Sequence, residues 1–152
     1  MVQLVRPFFK NITKELTKSP KVYFIDLGIR NYALQSFQDL MQRIDKGELF
    51  ENFIFTRLLE SRPVFPIKFW RTKGGSEVDF IIEEQGQIIP IEVKSSSATQ
   101  VRIPSGLASF IRQYHPAQAY FYTTNTESAH QSSPPVTQLS YYQIPPSTTI
   151  NE

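Results

Sequence analysis

The stretch Glu77–Lys94, EVDFIIEEQGQIIPIEVK, constrains the fold more than any other part of the chain. Two runs rich in Val, Ile and Phe flank Gln85-Gly86, and the glycine supplies the positive φ that a tight turn needs. The pattern predicts a β-hairpin with a two-residue loop. Its register sets Glu84 against Gln87 and Asp79 directly against Glu92. Alternation along the strands then assigns Val78, Phe80, Ile82, Ile89, Ile91 and Val93 to a core face. Glu77, Asp79, Ile81, Glu83, Ile88, Pro90, Glu92 and Lys94 take the other face. Pro90 falls in a non-hydrogen-bonded pair, where its missing N–H removes no ladder bond.

Like charges directly opposite on a sheet repel. An Asp79–Glu92 pair therefore calls for a raised pKa, a salt bridge to Lys94 or a bound cation. Mg²⁺ or Mn²⁺ meets that need well, because hard divalent ions take one or two carboxylates together with substrate phosphate. Lys94, two residues along on the same face, is placed to stabilise charge on a reacting phosphate or to orient a water. The plain alternative is a solvated hairpin face, on which Asp, Glu and Lys are common.

The chain has 152 residues, enough for one domain with a sizeable core, and its 12 Phe and 7 Tyr supply bulk for it. It has no Cys, which excludes a disulfide framework and a thiolate zinc site. No apolar run approaches the roughly 20 residues that span a bilayer, and the start lacks a signal-peptide pattern. A cytoplasmic protein without membrane contact is expected. Residues 1–30 carry six basic groups (Arg6, Lys10, Lys14, Lys18, Lys21, Arg30) against Glu15 and Asp26. Such a leading segment suits DNA or an acidic partner, and equally a solvated lysine-rich loop.

Along the chain, residues 1–20 read as a basic, partly irregular segment, 21–123 as the core domain, and 124–152 as a loop, an edge strand and a tail. Lys21–Ile25 is β-rich, and Asp26 is placed to cap a helix. Ile29, Tyr32, Ala33, Phe37, Leu40, Met41 and Ile44 follow at helical spacing, predicting one or two helices. Asp45 is the next expected cap, opening a helix through Glu60 with Leu49, Phe50, Phe53, Ile54 and Leu58 on its apolar face. Glu51 borders that stripe and is expected to point toward the sheet. A strand is expected at 67–72, with Trp70 in the core. Arg71 and Lys73 flank its turn as phosphate contacts or as edge-strand charges. Beyond Lys94 the expectation is a loop, a helix over 104–114 and a strand at 119–123. A right-handed crossover would lay that strand parallel to 91–94. Residues 125–137 read as loop and 139–144 as a last edge strand. No Walker-A sequence occurs, and His115 and His130 lack metal-ligand spacing.

The succession of Glu51 on a helix, Asp79 on a strand and Glu92-Val93-Lys94 after a hairpin resembles the PD-(D/E)xK nuclease superfamily. Gly47 and Glu51 are similar to the helix motif of archaeal Holliday-junction resolvases within it. Four ordered blocks, KNITKELTKSPKVYFIDLGIRN, GELFENFIF, FWRTKGGSEVDF and IPIEVKS, resemble the C-terminal domain of prokaryotic AAA-type ATPases, a domain of unknown function. The resemblance implies a restriction-endonuclease-like α/β core, a mixed sheet flanked by helices. It also implies an AAA-type ATPase partner in cis or in trans, and a chain that is a truncated or stand-alone copy. Two functions follow. One is a Mg²⁺- or Mn²⁺-dependent nuclease, with Asp79 and Glu92 as metal ligands, Glu51 as a further ligand or water-positioning group, and Lys94 assisting the attack. The other is a non-catalytic module that recruits DNA or protein, with Lys10, Lys14, Lys18, Arg71 and Lys73 as nucleic-acid contacts.

Overall fold

The computed structural model describes residues 1–9, 19–95, 102–124, 128–130 and 132–146. In chain order its elements are β1 (Val2–Pro7), β2 (Lys21–Phe24), α1 (Leu27–Ala33), a 3₁₀ turn (Leu40–Gln42), α2 (Lys46–Ser61), β3 (Ile67–Arg71), β4 (Glu77–Glu84), β5 (Gln87–Val93), α3 (Ser105–Tyr114), β6 (Ala119–Thr123), β7 (Ser128–His130) and β8 (Val136–Ser140). The strands form one mixed sheet in the order β2-β1-β3-β4-β5-β6-β8-β7. Strands β3, β4 and β5 make an antiparallel meander. β6 then runs parallel to β5, pairing Ile91 with Tyr120 and Val93 with Tyr122, as the expected crossover requires.

Two apolar layers sandwich the sheet. On one face Phe50, Ile54, Phe55 and Leu58 of α2 pack on Phe80, Ile82, Ile89, Ile91 and Val93. On the other, Leu107 and Phe110 of α3 pack on Trp70, Val78, Ile81 and Phe121. The hairpin's second face is therefore covered by a helix, and Ile81 is fully buried there. Near Gln85-Gly86 both turn residues have positive φ (51° and 78°), the turn geometry that suits the right-handed twist of a hairpin.

Several expectations need correction. The ladder runs as predicted from Glu84–Gln87 to Phe80–Ile91, with Pro90 opposite Ile81, and ends one pair short of Asp79–Glu92. On its other side β4 pairs Ile81 with Lys68 but Val78 with Trp70. Asp79 and Phe80 thus stand against the single residue Phe69, a β-bulge, and strict alternation fails at that point. Val78 turns to the α3 face, whereas Phe80 stays under α2.

The opening is not irregular throughout. Val2–Pro7 is a strand, antiparallel to β2 and parallel to β3, because its apolar residues complete the sheet edge. The helical stripe expected over 28–44 reduces to α1 and the 3₁₀ turn, and Tyr32, Phe37, Met41 and Ile44 face outward. Asp45 makes no side-chain cap bond to α2. Residues 128–130 form a strand within the expected loop, and the last strand is 136–140, paired on both sides rather than at an edge.

Candidate functional site: a carboxylate cluster at the end of the central strands

The site is assembled by one helix–strand contact and one bulge. Asn52 of α2 accepts from the Phe24 N–H (2.9 Å) and donates to the Phe24 carbonyl (2.6 Å), filling the role of a neighbouring strand along β2. This locks β2 to α2 and sets Lys21 and Tyr23 beside Glu51. Tyr23 stacks on Phe55 at 4.6 Å and donates its hydroxyl to Glu51 Oε1. Burial, with Glu51 alongside, pushes the Tyr23 phenol well above its ordinary pKa, so the hydroxyl stays a donor.

The bulge in β4 frees the Asp79 side chain from the pleat. Its Oδ2 accepts from the Val93 N–H at 2.9 Å, where the ladder has stopped. Its Oδ1 lies 3.6 Å from Lys21 Nζ. The same ammonium is 2.9 Å from Glu51 Oε1 and 2.6 Å from Glu77 Oε1. One lysine from an outer strand thus joins three carboxylates from α2 and β4. Burial opposes its charge, but Glu51, Glu77 and Asp79 outweigh that and hold its pKa above the ordinary lysine value.

Glu92 stands on β5 with 5% exposure. Its Oε1 pairs with Lys94 Nζ at 2.6 Å. Its Oε2 is buried and has no hydrogen-bond partner among the described residues. An ionised oxygen in that condition is costly to hold, and such orphans mark strain, function or a missing ligand. Burial raises the Glu92 pKa even though Lys94 pulls it down. Asp79 is pushed up to about 7, first by burial and then by Glu92 and Glu51, with Lys21 and the Val93 N–H opposing. Two carboxylates that resist sharing negative charge in a dry site are poised to take up a proton or a cation.

Glu51, Asp79, Glu92 and Lys94 are therefore brought together. Among the described residues no group of three or more His, Cys, Asp or Glu is arranged to hold a metal ion. The donor set that does exist is all oxygen and contains an unpartnered carboxylate atom. Oxygen donors are the ligand type that hard divalent ions take. Sequence reasoning missed Lys21, Tyr23 and Glu77 as members of this cluster. The signal for Lys21 was its place in KVYF, where alternation puts it on the same face as Tyr23; spacing alone did not show which strand it would meet. Gly106 also went unnoticed: a Cβ there would come within 1.9 Å of the Glu77 carbonyl, so α3 lies directly on the backbone that carries Glu77.

Arg71 is bound to Glu77 Oε2 (2.9 and 2.8 Å) and Lys73 is exposed in the β3–β4 turn, both at the Glu77 end of β4. Lys10, Lys14 and Lys18 lie outside the described residues. Two other members of the basic leading segment, Lys21 and Arg30, are held in ion pairs, with Glu51 and Asp45 respectively. Among the described residues no helix is long and apolar enough to cross a membrane.

Residues 46–142 match a domain of unknown function, DUF4143. The chain belongs to this family. Residues 1–40 match a second domain of unknown function, DUF8612. Uncharacterized proteins of Mycobacterium bovis and Mycobacterium tuberculosis are each 30% identical to the chain over 103 residues, 66% of this chain and 23% of theirs. The match thus spans under a quarter of the length of these curated relatives. No solved structure matches the chain. The cluster straddles the two matched stretches: Glu51, Glu77, Asp79, Glu92 and Lys94 lie in the DUF4143 stretch, and Lys21 and Tyr23 in the other.

Proposed function

We propose that the chain is a nuclease-like domain of the PD-(D/E)xK type with a restriction-endonuclease-like core, acting on DNA phosphodiesters with Mg²⁺ or Mn²⁺. In this reading it serves an AAA-type ATPase. The observation that carries the proposal is the buried, unpartnered Glu92 Oε2 beside the raised-pKa carboxylate of Asp79. Asp79 and Glu92 would hold the cation, which supplies Lewis-acid charge and a water of lowered pKa. Glu51, fixed by Tyr23 and Lys21, would orient water on the α2 side. Lys94 is half exposed and anchored by Glu92, so its ammonium is available to a phosphate oxygen that gains charge.

The test has two stages. Mn²⁺ should raise the Tm of the wild type, because a ligand that binds only the folded state stabilises it by mass action, and Glu92→Gln should remove the increment. Branched, flapped and linear DNA should then be cleaved by the wild type, with turnover roughly 10²-fold lower in Lys94→Gln. Equal cleavage by both would assign the activity to a contaminant.

One observation favours a second reading, a non-catalytic DNA- or protein-binding accessory domain of the ATPase. Lys21 already supplies a positive charge to three of the carboxylates. On that reading Mn²⁺ leaves the Tm unchanged and no DNA substrate is cut, with or without an ATPase partner.

A further inference from the structure

We propose that Lys21 is an internal counter-cation of the carboxylate site, and that a divalent ion enters by displacing its ammonium. The inference rests on the cation-site reading above and adds a regulation to it. Its basis is geometric. Lys21 Nζ lies within 3.6 Å of carboxylate oxygens of Glu51, Glu77 and Asp79, a position from which one positive charge serves three negative ones. Glu92 is left out of that arrangement and keeps a buried oxygen without a partner. Three carboxylates thus share the Lys21 ammonium, while on the Glu92 side Oε1 is paired with Lys94 and Oε2 is left open.

A dication drawn to Asp79 and Glu92 meets the ammonium at short range, where like charges repel strongly in a partly dry site. Lys21 has somewhere to go. It lines a cleft of about 330 Å³ that runs along β2 and is also lined by Val22, Arg30, Leu34 and Glu48. Its carbon stem is flexible, its side chain is 21% exposed, and its ammonium is readily hydrated. Glu51 lines the same cleft, so withdrawal would keep that partner and release Glu77 and Asp79 at the moment the cation arrives. The switch lies between two sequence stretches, since Lys21 belongs to the one matched by DUF8612 and all of its carboxylate partners to the one matched by DUF4143. Anything that pulls on β2 would then change the cation affinity of the site.

Mn²⁺ is the probe, and calorimetry the first readout, on wild type, Lys21→Gln and Glu92→Gln. Removing the competing charge should tighten Mn²⁺ binding roughly tenfold in Lys21→Gln, while Glu92→Gln should lose binding. The second readout uses the wild type alone. Mn²⁺ should raise the rate at which an amine-acylating reagent modifies Lys21 several-fold relative to the exposed Lys73, measured by peptide mass. This measurement decides the matter if Lys21→Gln does not fold. Mn²⁺ binding that depends on Glu92, with Lys21→Gln no tighter than wild type or Lys21 reactivity unchanged, would overturn the counter-cation and leave the cation site standing. Absence of Mn²⁺ binding in all three proteins would overturn both.

Discussion

Helix α2 carries a charge cluster at each end of its first two turns, and the two are built on opposite terms. At Asp45 one carboxylate serves two arginines. Arg43 reaches it through Nε and Nη2, both at 2.8 Å, and Arg30 through Nη1 at 2.7 Å. Arg43 also donates to the Ser36 carbonyl and to Asn31 Oδ1. The two guanidiniums hold the Asp45 carboxyl well below the usual carboxylate range. At Glu51, Glu77, Asp79 and Glu92 carboxylates outnumber ammonium groups, and Asp79 is pushed the other way. The same ingredients give a staple in one place and an unmet demand for positive charge in the other. What separates them is the ratio of charges and the buried Glu92 oxygen left without a partner. A satisfied network rigidifies a fold, and a partly satisfied one marks strain, function or a missing ligand.

The largest effect that would break this contrast is at Asp79. Its folded pKa lies above its unfolded value, so the native state binds more protons than the unfolded one between about pH 4 and 7. Stability should therefore rise as pH falls through that window. Asp79→Asn should flatten the dependence and stabilise the metal-free protein at pH 8 by an amount on the order of 3 kcal/mol, read by urea unfolding. A variant less stable than wild type at pH 8 would show that the carboxylate is held by favourable contacts after all.

A smaller effect of opposite sign is expected at Asp45. Its depressed pKa contributes stability that is present above pH 4 and lost as pH falls below it. Asp45→Asn should cost about 2 kcal/mol at neutral pH, since both guanidiniums lose a charged acceptor. It should also loosen residues 34–44, a change visible as faster amide exchange there. The smallest effect is at Lys94, whose side chain is 46% exposed. Lys94→Gln, whose amide can still donate to Glu92 Oε1, should shift stability by only about 1 kcal/mol, so the large loss of turnover expected of the nuclease reading would not be a folding defect.

The hairpin was legible because turn chemistry and a two-residue period act over neighbouring positions. Gln85-Gly86, the register to Phe80–Ile91, the place of Pro90 and the parallel β5–β6 pair all follow from such local rules. Asp26 was legible as a cap for the same reason, its Oδ1 accepting from the Ile29 N–H at 2.8 Å. Apolar spacing misled over 28–44. Arg30, Arg43 and Asp45 fold that stretch around a polar hub, and the apolar side chains are left on the outside. Periodicity records which residues are apolar; burial depends on what else is there to be covered.

By itself, the sequence determined the hairpin, the meander, the two main helices and the placing of Asp79, Glu92 and Lys94 on neighbouring strands or just beyond them. These rest on interactions between residues close along the chain, where spacing stands in for distance. Only the tertiary structure decided that β1 and β2 extend the sheet and that a bulge at Asp79–Phe80 turns Val78 to the far face. It also decided that Lys21, some 30 residues from Glu51 and nearly 60 from Asp79 along the chain, is the charge they meet. The physical reason is that a bulge or a strand edge is chosen by the competition of all the layers to bury apolar surface. A lysine's partner is whichever carboxylate that packing leaves within reach.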